Sequence, residues 1–447
     1  SDYTKNPTTV LLDGLRLDED ERWIYCVIDF HPFLKSPNVW RTAKECFRQA
    51  KEKGVTYIFI SAKFQMIPEL EREVVVLDLP FPSKEELKKL AINILRDNEL
   101  EIKNVSEASE AAKGMTLNEA ENAFVISISK CGKLDFQTIC SVKKDIICRD
   151  GILEYELSNQ SVDSIGGLEK FKGWSQKRLL AFSEEAKEYG LPYPKGVLLV
   201  GIPGCGKSLS ARALANMWNK PLLKLDIGKL FGGIVGDTEA NTRKVLKIAE
   251  AMSPAILWID EIEKGLSGTS SNSDSGVSTR MFGKILTWMQ EKTEPVFVIA
   301  TANNVKSLPA EFLRKGRFDE IFYVDLPNKE EREEIFRIQL LKYKRNPENY
   351  NLVDLATKTA NYTGAEIESI ILNAMFDAWN DDKRDPTQDD LVNSIEEVSP
   401  MATGIAKDNI EALRKWAKEV NLQIANEATN KSNKCNTRRV VLGGSRL

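Results

Sequence analysis

The segment from Gly201 to Ser208 has the residue types and spacing that bind nucleotide phosphates. Its sequence, Gly-Ile-Pro-Gly-Cys-Gly-Lys-Ser, fits the pattern G-x-x-x-x-G-K-[ST] and directly follows the apolar run 197–200. Glycines there let the backbone point successive N–H groups at phosphate oxygens. We expect Lys207 to reach the β- and γ-phosphates and the Ser208 hydroxyl to bind Mg²⁺. The predicted nucleotide-binding residues are Gly201, Pro203, Gly204, Cys205, Gly206, Lys207, Ser208 and Leu209.

Two carboxylates end a second apolar run, 255–259, and supply what a phosphate site still needs. Asp260 can hold Mg²⁺ through its water shell, and Glu261 can orient and polarise the water that attacks the γ-phosphate. The alternative is the acidic start of a helix, which the helix dipole favours without any catalysis. The interval from Lys207 leaves room for one more strand and helix, which favours the catalytic interpretation.

A third apolar run, 296–301, leads to Asn303, and a charged segment, 312–319, follows. An amide at a strand tip beside the phosphate loop can donate and accept at the γ-phosphate and the attacking water. The charged segment holds Arg314 and Arg317 next to a glycine, which is typical of a charged edge and not of a core. Ordinary surface ion pairs are the alternative.

Together these elements resemble the AAA+ ATPases, in the subgroup that carries the second region of homology and includes unfoldases and disassembly machines. The resemblance covers about residues 160–425 and extends to Ser164-Ile165-Gly166-Gly167-Leu168 and Tyr362-Thr363-Gly364-Ala365. Within this group the sequence is similar to an uncharacterised AAA family encoded in plastid and cyanobacterial genomes.

The resemblance implies hydrolysis of ATP to ADP and phosphate, with Mg²⁺ as cofactor. Arg314 and Arg317 would be arginine fingers that reach the nucleotide of a neighbouring subunit, which contributes about 10³–10⁵ in rate. That head-to-tail contact closes into a homo-oligomeric ring, of six subunits in most such enzymes. The residues expected around the nucleotide base are Ile165 and Gly166 on one side and Gly364 and Ala365 on the other.

The segment 232–237 lies where such rings present an aromatic pore residue followed by a small apolar residue and glycine. The candidate pore residues are Phe231, Ile234 and Val235, with Ile234 at the aromatic position. Isoleucine can grip an extended chain but has no large planar face, which weakens the case for threading. The Ser-rich segment 267–279 lies at the place of a second pore loop, and a mobile surface loop is the alternative.

Alternating strand and helix patterns from about 195 to 327 predict a parallel α/β sheet, with the site at the carboxyl ends of its strands. We assign residues 156–327 to a large α/β ATPase subdomain, 328–425 to a helical lid and 426–447 to a basic tail. The tail is expected to be solvated, with contact to an acidic partner as the alternative. An apolar stripe expected in the lid core comprises Ile410, Leu413, Trp416, Ala417 and Val420.

Residues 1–155 repeat the order of the ATPase region in weakened form. The runs 23–30, 55–61, 67–70 and 75–80 parallel 255–261, 296–301, 308–311 and 322–327, and 116–121 parallels 363–368. This copy has no phosphate loop, no finger arginines, and Phe30 in place of the catalytic glutamate. We predict a degenerate AAA+-like domain, incomplete at its N-terminus, that binds a partner or stabilises the ring. A generic α/β domain with coincidental similarity is the alternative.

The composition excludes several other classes of function. With 62 basic and 66 acidic residues, the net charge of −4 argues against broad attraction to nucleic acid or an anionic membrane. The single histidine, His31, excludes a His-based triad and an H-E-x-x-H metalloprotease, and without a C-x-x-C pair beside it no zinc site is assembled. No signal peptide and no apolar run near the ~20 residues that span a bilayer are found, which predicts the cytoplasm or the plastid stroma.

Seven cysteines without a C-x-x-C pair fit free thiols in a reducing compartment. Cys205 stands where threonine is more common in this group. We interpret it as a small residue that fits at this position, and the alternative is a thiol that the nearby helix N-terminus makes acidic and redox-sensitive.

The leading functional hypothesis is an Mg-ATP-driven ring that remodels a protein or protein complex. A nucleotide-switched assembly scaffold without threading is the first alternative. A nucleic-acid motor is the second, and the near-neutral charge counts against it.

Overall fold

The computed structural model describes residues 6–16, 22–61, 68–70, 72–77, 79–148, 151–156, 161–231, 235–265, 275–304, 308, 310–314, 316–404 and 406–426. They form two compact units, one up to Pro80 and one from Phe81 onward. The sequence predicts a boundary at residue 155 instead. The difference arises because the chain after Phe81 packs on the ATPase sheet: Ile147 joins the sheet core, and the Met252 side chain lies against Gly114.

The first unit is built on two parallel strands, β1 (Trp23–Ile28) and β2 (Val55–Ile60), with helices α1 (Pro7–Asp13) and α2 (Pro37–Glu52). Alternate strand residues such as Val27 and Val55 are buried in the same core as the apolar face of α2, as the two-residue period of a strand requires. Residues 75–77, 79 and 80, which parallel an ATPase strand in sequence, form no strand in the part of this unit that the structure describes.

Four helices open the second unit and are called here the first bundle: α3 (Lys84–Asp97), α4 (Val105–Ala111), α5 (Leu117–Cys131) and α6 (Phe136–Ile147). Capping boxes start α3 and α5: the side chains of Ser83 and Thr116 each accept from a backbone N–H three residues on, and the glutamate there accepts from the cap residue's own N–H. Leu87, Ala120 and Phe124 lie in a core of their own between these helices.

A mostly parallel sheet carries the ATPase region, in the order β3-β5-β6-β7-β4-β8-β9. Its strands are β3 (Leu153–Glu156), β4 (Gly196–Gly201), β5 (Leu222–Leu225), β6 (Ala255–Ile259), β7 (Val296–Ala302), β8 (Glu320–Val324) and β9 (Gln423–Ile424). Only β3 is antiparallel to its neighbour. Every residue of β4, β6 and β7 is buried, as in strands covered by helices on both faces. The predicted α/β P-loop fold is therefore confirmed.

The helices on the sheet are α7 (Glu169–Leu179), α8 (Glu184–Glu188), α9 (Lys207–Trp218), α10 (Ile227–Phe231), α11 (Val235–Ala251) and α12 (Ser275–Glu291). They form two cores, one on each face of the sheet. One face packs against α11 and α12 and the other against α7 and α9. This layering leaves the carboxyl ends of the central strands open for a site.

The lid consists of α13 (Lys329–Lys342), α14 (Leu352–Lys358), α15 (Gly364–Asn380) and α16 (Gln388–Glu397), around Phe336, Leu355 and Ile370. Helix α17 (Lys407–Glu419) returns to the sheet. The predicted lid-core position of its apolar stripe is wrong: Ile410, Leu413 and Ala417 are buried in the sheet core, Trp416 packs against that core, and Val420 is exposed. Two further contacts hold α17 at the sheet: Arg414 pairs with Asp325 at 2.9 Å, and β9, which follows the helix, pairs with β8.

Candidate functional site

The predicted phosphate loop joins β4 to α9 in a turn that only glycine adopts without strain. Gly204 and Gly206 have φ values of 76° and 86°, in the left-handed region. A Cβ on Gly201 would lie 2.0 Å from the Val324 carbonyl oxygen, so β4 and β8 approach more closely there than a side chain permits. The loop therefore ends at the N-terminus of α9, where backbone N–H groups and the helix dipole favour a bound anion.

Lys207, the first residue of α9, is buried with its ammonium group beneath the loop. It donates to the carbonyl oxygens of Gly201 at 2.9 Å and Ile202 at 2.7 Å. Burial lowers the pKa of Lys207 to about 8. A cation held in this way is desolvated in advance for an anionic ligand.

Asp260 follows β6 and meets the phosphate loop. Its Oδ1 accepts from the Ser208 hydroxyl at 3.0 Å and from the Thr301 hydroxyl at 2.6 Å. The contact brings together the two residues that the sequence predicts for Mg²⁺. Thr301 comes from β7, the next strand in the sheet.

Glu261 has a φ of 48°, an uncommon conformation for a residue other than glycine. Its N–H donates to the Thr301 hydroxyl at 2.9 Å, and its Oε1 accepts from Asn303 Nδ2 at 2.9 Å. Its other carboxylate oxygen is ion-paired with Lys264. The structure thus unites Glu261 with Asn303, which lies 42 positions away in the chain.

Glu263 lies buried beside these residues, and its Oε1 accepts from the Asn303 backbone N–H at 2.9 Å. Burial raises the pKa of Glu263 above its ordinary value. The contact fixes the backbone of Asn303 at the end of β7, so the amide of Asn303 faces Glu261 from a rigid position.

A cavity of about 220 Å³ lies at the carboxyl ends of β4, β6 and β7. It is lined by Pro203, Gly204, Gly206, Lys207, Ser208, Leu209, Asp260, Glu261, Thr301 and Asn303. Nine of these ten residues are predicted from the sequence to bind or hydrolyse a nucleotide. Thr301 is the addition.

The lid contacts the phosphate loop through the N-terminus of α15. The N–H of Ala365 donates to the Gly204 carbonyl oxygen at 3.1 Å. A Cβ on Gly364 would lie 3.4 Å from that oxygen, and one on Gly204 would lie 3.2 Å from the Ala365 Cβ. Small residues on both sides allow this approach, and Thr363 caps α15 with Glu366 as partner.

The segment before the phosphate loop packs on helix α13 of the lid. Ile165 is buried in the sheet core, and a Cβ on Gly166 would lie 2.6 Å from the Ile335 side chain of α13. The N–H of Leu168 donates to the buried Glu331 at 3.3 Å. A Cβ on Gly364 would lie 3.8 Å from the same Ile335 side chain, so Gly166 and Gly364 both lie where the sheet meets the lid.

Arg314 and Arg317 lie apart from the cavity of their own subunit. The Arg314 side chain is 69% exposed and lies 3.9 Å from the Glu311 carboxylate, and Arg317 donates to the Glu311 carbonyl oxygen at 2.6 Å. Asp319, in the same segment, accepts from the N–H groups of Lys195 and Gly196 at 2.6 and 3.0 Å. These two bonds, called here the Asp319 clip, fix β8 beside β4, with Arg314 exposed and Arg317 half-buried.

Cys205 is free, and its Sγ lies 3.9 Å from the Pro203 carbonyl oxygen. Burial raises the pKa of Cys205 to about 12, in spite of the nearby Lys207. This pKa favours the interpretation of a small residue that fits there over the alternative of an acidified thiol, because desolvation outweighs the positive charge of Lys207. Cys205 is a small residue that packs against both cores.

Ile234 and the tail from 427 lie outside the described residues, as does most of segment 267–279. Phe231 ends α10 and Val235 begins α11, and only their backbones are described. No helix in the described part of the chain has the length and hydropathy needed to cross a bilayer.

Sequence reasoning missed three residues of this site: Thr301, Glu263 and Lys264. Thr301 could have been found, since it is the last residue of the predicted apolar run 296–301, but a threonine in a strand is also typical of β-structure. Glu263 and Lys264 follow the predicted acids by two and three positions, and a turn brings them back to Glu261 and Asn303.

Comparisons with known proteins agree with this geometry. Residues 197–326 match the model of the ATPase family associated with various cellular activities (AAA), and residues 1–79 match the N-terminal domain of SpoVK-like AAA ATPases. An AAA domain-containing protein of Guillardia theta, named ycf46 and described as uncharacterised, is 40% identical over 405 residues, 89% of this chain and 79% of that protein.

The ycf46 protein of Pyropia yezoensis is 39% identical over 419 residues, covering 92% of this chain and 85% of that protein. Among solved structures, the FIGL-1 AAA domain superposes with a TM-score of 0.51 at 22% identity, over 62% of this chain and 95% of that one, which shows the shared fold. The chain therefore belongs to the AAA ATPases, in the family of AAA domain-containing proteins named ycf46.

Proposed function

We propose that this protein is a ring-forming ATPase that hydrolyses Mg-ATP and remodels a protein or protein complex. One observation carries the proposal: a single cavity brings together a buried cation, two acids and an amide from three strand ends, Lys207, Asp260, Glu261 and Asn303. This set supplies phosphate binding, metal orientation and water activation, the three requirements of phosphoryl transfer.

The cavity fits a nucleotide with Mg²⁺ on the chemistry of its donors. The left-handed glycines of the loop and the buried Lys207 form an anion cradle, and Ser208 with Asp260 offers two oxygen ligands. Among the described residues no cluster of three or more acidic, cysteine or histidine side chains could hold a metal unaided. That fits Mg²⁺, which binds through one or two protein oxygens together with phosphates and water. Bound there, Mg²⁺ would neutralise charge that develops on the phosphates.

In this proposal Glu261 orients and polarises the attacking water, and Asn303 holds the Glu261 carboxylate through its amide. Lys207 leaves its carbonyl partners to bind the phosphates. Gly364 and Ala365 bring the lid backbone beside the loop, and Ile165 and Gly166 couple the segment before the loop to α13. The sheet and the lid therefore meet at the bound nucleotide.

We assign Arg314 and Arg317 as arginine fingers that act on a neighbouring subunit. Their position outside their own cavity supports this assignment, because a finger in trans must be presented outward. A head-to-tail contact of this kind closes into a ring, and we propose a hexamer. The partner remodelled by the ring is a protein of unidentified sequence.

A nucleotide-switched scaffold without threading is the second candidate, because Ile234 takes the aromatic pore position. A nucleic-acid motor stays disfavoured by the net charge of −4. We also propose that residues 1–155 are a degenerate AAA+-like region that binds a partner or stabilises the ring. We place the protein in the cytoplasm or, as the algal relatives suggest, in the plastid stroma.

The decisive experiment is a Glu261→Gln variant, which keeps the site's shape and removes the charge that polarises water. We expect it to bind ATP, lose at least about 100-fold in turnover and accumulate as a nucleotide-bound ring in light-scattering measurements. Arg317→Ala should bind ATP and hydrolyse slowly as well, with rate restored in mixed rings that pair it with Glu261→Gln subunits. A Glu261→Gln protein that binds ATP but stays monomeric would exclude the ring.

A further inference from the structure

Thr301 connects both acids of the cavity through one hydroxyl group. The residue is 1% exposed and pairs with Leu199 across β7 and β4. Its Oγ1 donates to Asp260 at 2.6 Å and accepts from the Glu261 N–H at 2.9 Å. Since a hydroxyl both donates and accepts, one side chain satisfies two groups on the neighbouring strand end.

The bond to Asp260 acts on the acid that faces the metal position. The same Oδ1 atom also accepts from Ser208, so two hydroxyls on opposite elements fix the direction of this carboxylate. Hydrogen bonds to an ionised acceptor are short and strong, and the 2.6 Å separation from Thr301 is of that kind. Groups that orient a metal ligand in this way commonly determine its metal affinity.

The bond to Glu261 acts on the backbone of the residue that would activate water. A glutamate at a φ of 48° is strained, so neighbouring groups must stabilise this backbone conformation. The first unit contains a similar turn at the end of β1, where Asp29 has a φ of 53°. There the N–H of Asp29 donates to the Ile60 carbonyl oxygen at 2.8 Å, a backbone partner on β2.

This difference isolates what the hydroxyl adds. A left-handed turn after a strand can be held by a main-chain carbonyl alone, as it is at Asp29. The Thr301 hydroxyl also donates, so at β6 the same turn is tied to the direction of Asp260. A carbonyl oxygen could accept from Glu261 but could not donate to Asp260.

We propose that Thr301 is a positioning residue for the ATPase reaction, which sets the Mg²⁺-facing direction of Asp260 and the backbone of Glu261 through a single hydroxyl. The inference rests on the proposed function. It assigns no contact between Thr301 and the nucleotide, and its effect passes through Asp260 and Glu261.

The test compares Thr301→Val, which keeps the shape and loses the hydroxyl, with Thr301→Ser, which keeps the hydroxyl. Binding of a fluorescently labelled ATP is measured with EDTA and with Mg²⁺, in the Glu261→Gln background so that hydrolysis does not interfere. We expect Thr301→Val to leave the metal-free affinity within about 2-fold and to reduce the gain from Mg²⁺ about 10-fold. In the unsubstituted background its kcat should fall about 10- to 100-fold with a smaller change in KM.

Thr301→Ser should keep the Mg²⁺ gain and kcat within about 3-fold, even if loss of the buried methyl lowers its melting temperature. Thr359→Val is the matched control, since Thr359 is an equally buried threonine that donates only to the Leu355 carbonyl of the lid. An unchanged Mg²⁺ gain in Thr301→Val would overturn the proposal, and so would equal losses in the serine and valine variants. Failure of the proposed function has a different signature: no ATP turnover by the unsubstituted protein.

Discussion

The first bundle and the lid are built alike, yet only the lid contacts the phosphate loop. In both, the first helix packs on the second and third, and the third packs on the fourth. Both have a threonine capping box on the third helix, at Thr116 and at Thr363. The difference begins at the next residue: Leu117 is half-exposed, whereas Gly364 lies against the Gly204 carbonyl.

This comparison separates residues that make the bundle from residues that give it a function. Capping boxes and apolar periodicity suffice for the four-helix arrangement, because they recur where no phosphate loop is present. Contact with the loop depends on two small residues, Gly364 and Ala365, at the start of one helix. The first bundle therefore serves as a control for the lid, because it has the same helix arrangement without the contact to the phosphate loop.

The largest expected effect comes from replacing a buried lysine by methionine, once beside the phosphate loop that the lid contacts and once in the first bundle. Lys207 and Lys143 are both buried, and burial lowers the pKa of each to about 8. Lys207→Met should weaken ATP binding about 100-fold, since a charged hydrogen bond to phosphate contributes roughly 3 kcal/mol. Lys143→Met should leave ATP binding unchanged, because Lys143 lies against Tyr155 and away from the cavity. Titration calorimetry of both variants checks this, and comparable losses would contradict the proposed site.

An intermediate effect is expected when the leucine that follows the cap residue in the first bundle replaces the glycine at the same place in the lid. Gly364→Leu copies Leu117 and adds a side chain 3.4 Å from the Gly204 carbonyl, which should break the bond from the Ala365 N–H. We expect kcat/KM for ATP to fall about 10-fold, or roughly 1.4 kcal/mol. The reciprocal Leu117→Gly should cost about 1 kcal/mol of unfolding free energy and leave kcat/KM unchanged. If Gly364→Leu turned over ATP normally, close approach of the lid would not matter.

The smallest effect concerns pH and the same two lysines. Each has a pKa of about 8 in the folded chain and about 10.5 when unfolded, so between these values the unfolded state binds more protons. The unfolding free energy should therefore rise with pH from 8 to 10.5, by on the order of 1 kcal/mol per lysine relative to its methionine variant. Bound nucleotide should abolish the rise in unfolding free energy that is due to Lys207, because the phosphates would stabilise its charge. The rise that is due to Lys143 should remain. Urea unfolding at pH 7.5 and 9.5, with and without ATP, measures both shares.

The sequence predicts the parts of the site that are contiguous or that end a strand. The phosphate loop, Asp260, Glu261 and Asn303 are of this kind, because parallel strands bring their carboxyl ends to one edge. The role of Thr301 was not predicted, because it depends on the groups that its hydroxyl meets just after the end of β6, the Asp260 carboxylate and the Glu261 N–H.

Packing partners are the part of the fold that the sequence leaves open. The stripe of α17 has a clear helical period, but periodicity shows that a face is buried and not which core receives it. In the structure this face is buried in the sheet core, beside the Arg414–Asp325 pair and the two residues of β9, which are too few to be recognised as a strand. The division at Pro80 was missed for a similar reason, since the first bundle packs against residues near Met252 that lie far along the chain.

The return of the chain through α17 and β9 has a mechanical consequence. The lid leaves the sheet after β8 and comes back to the same edge, where β9 pairs with β8. Asn426, just after β9, connects the two ends of the lid: its side chain accepts from the Asp325 N–H at 3.3 Å and donates to Glu331 at 2.8 Å. The lid is thus a loop clamped at both ends. A force that acts on the lid would therefore reach β8, the strand that the Asp319 clip holds beside the phosphate-loop strand.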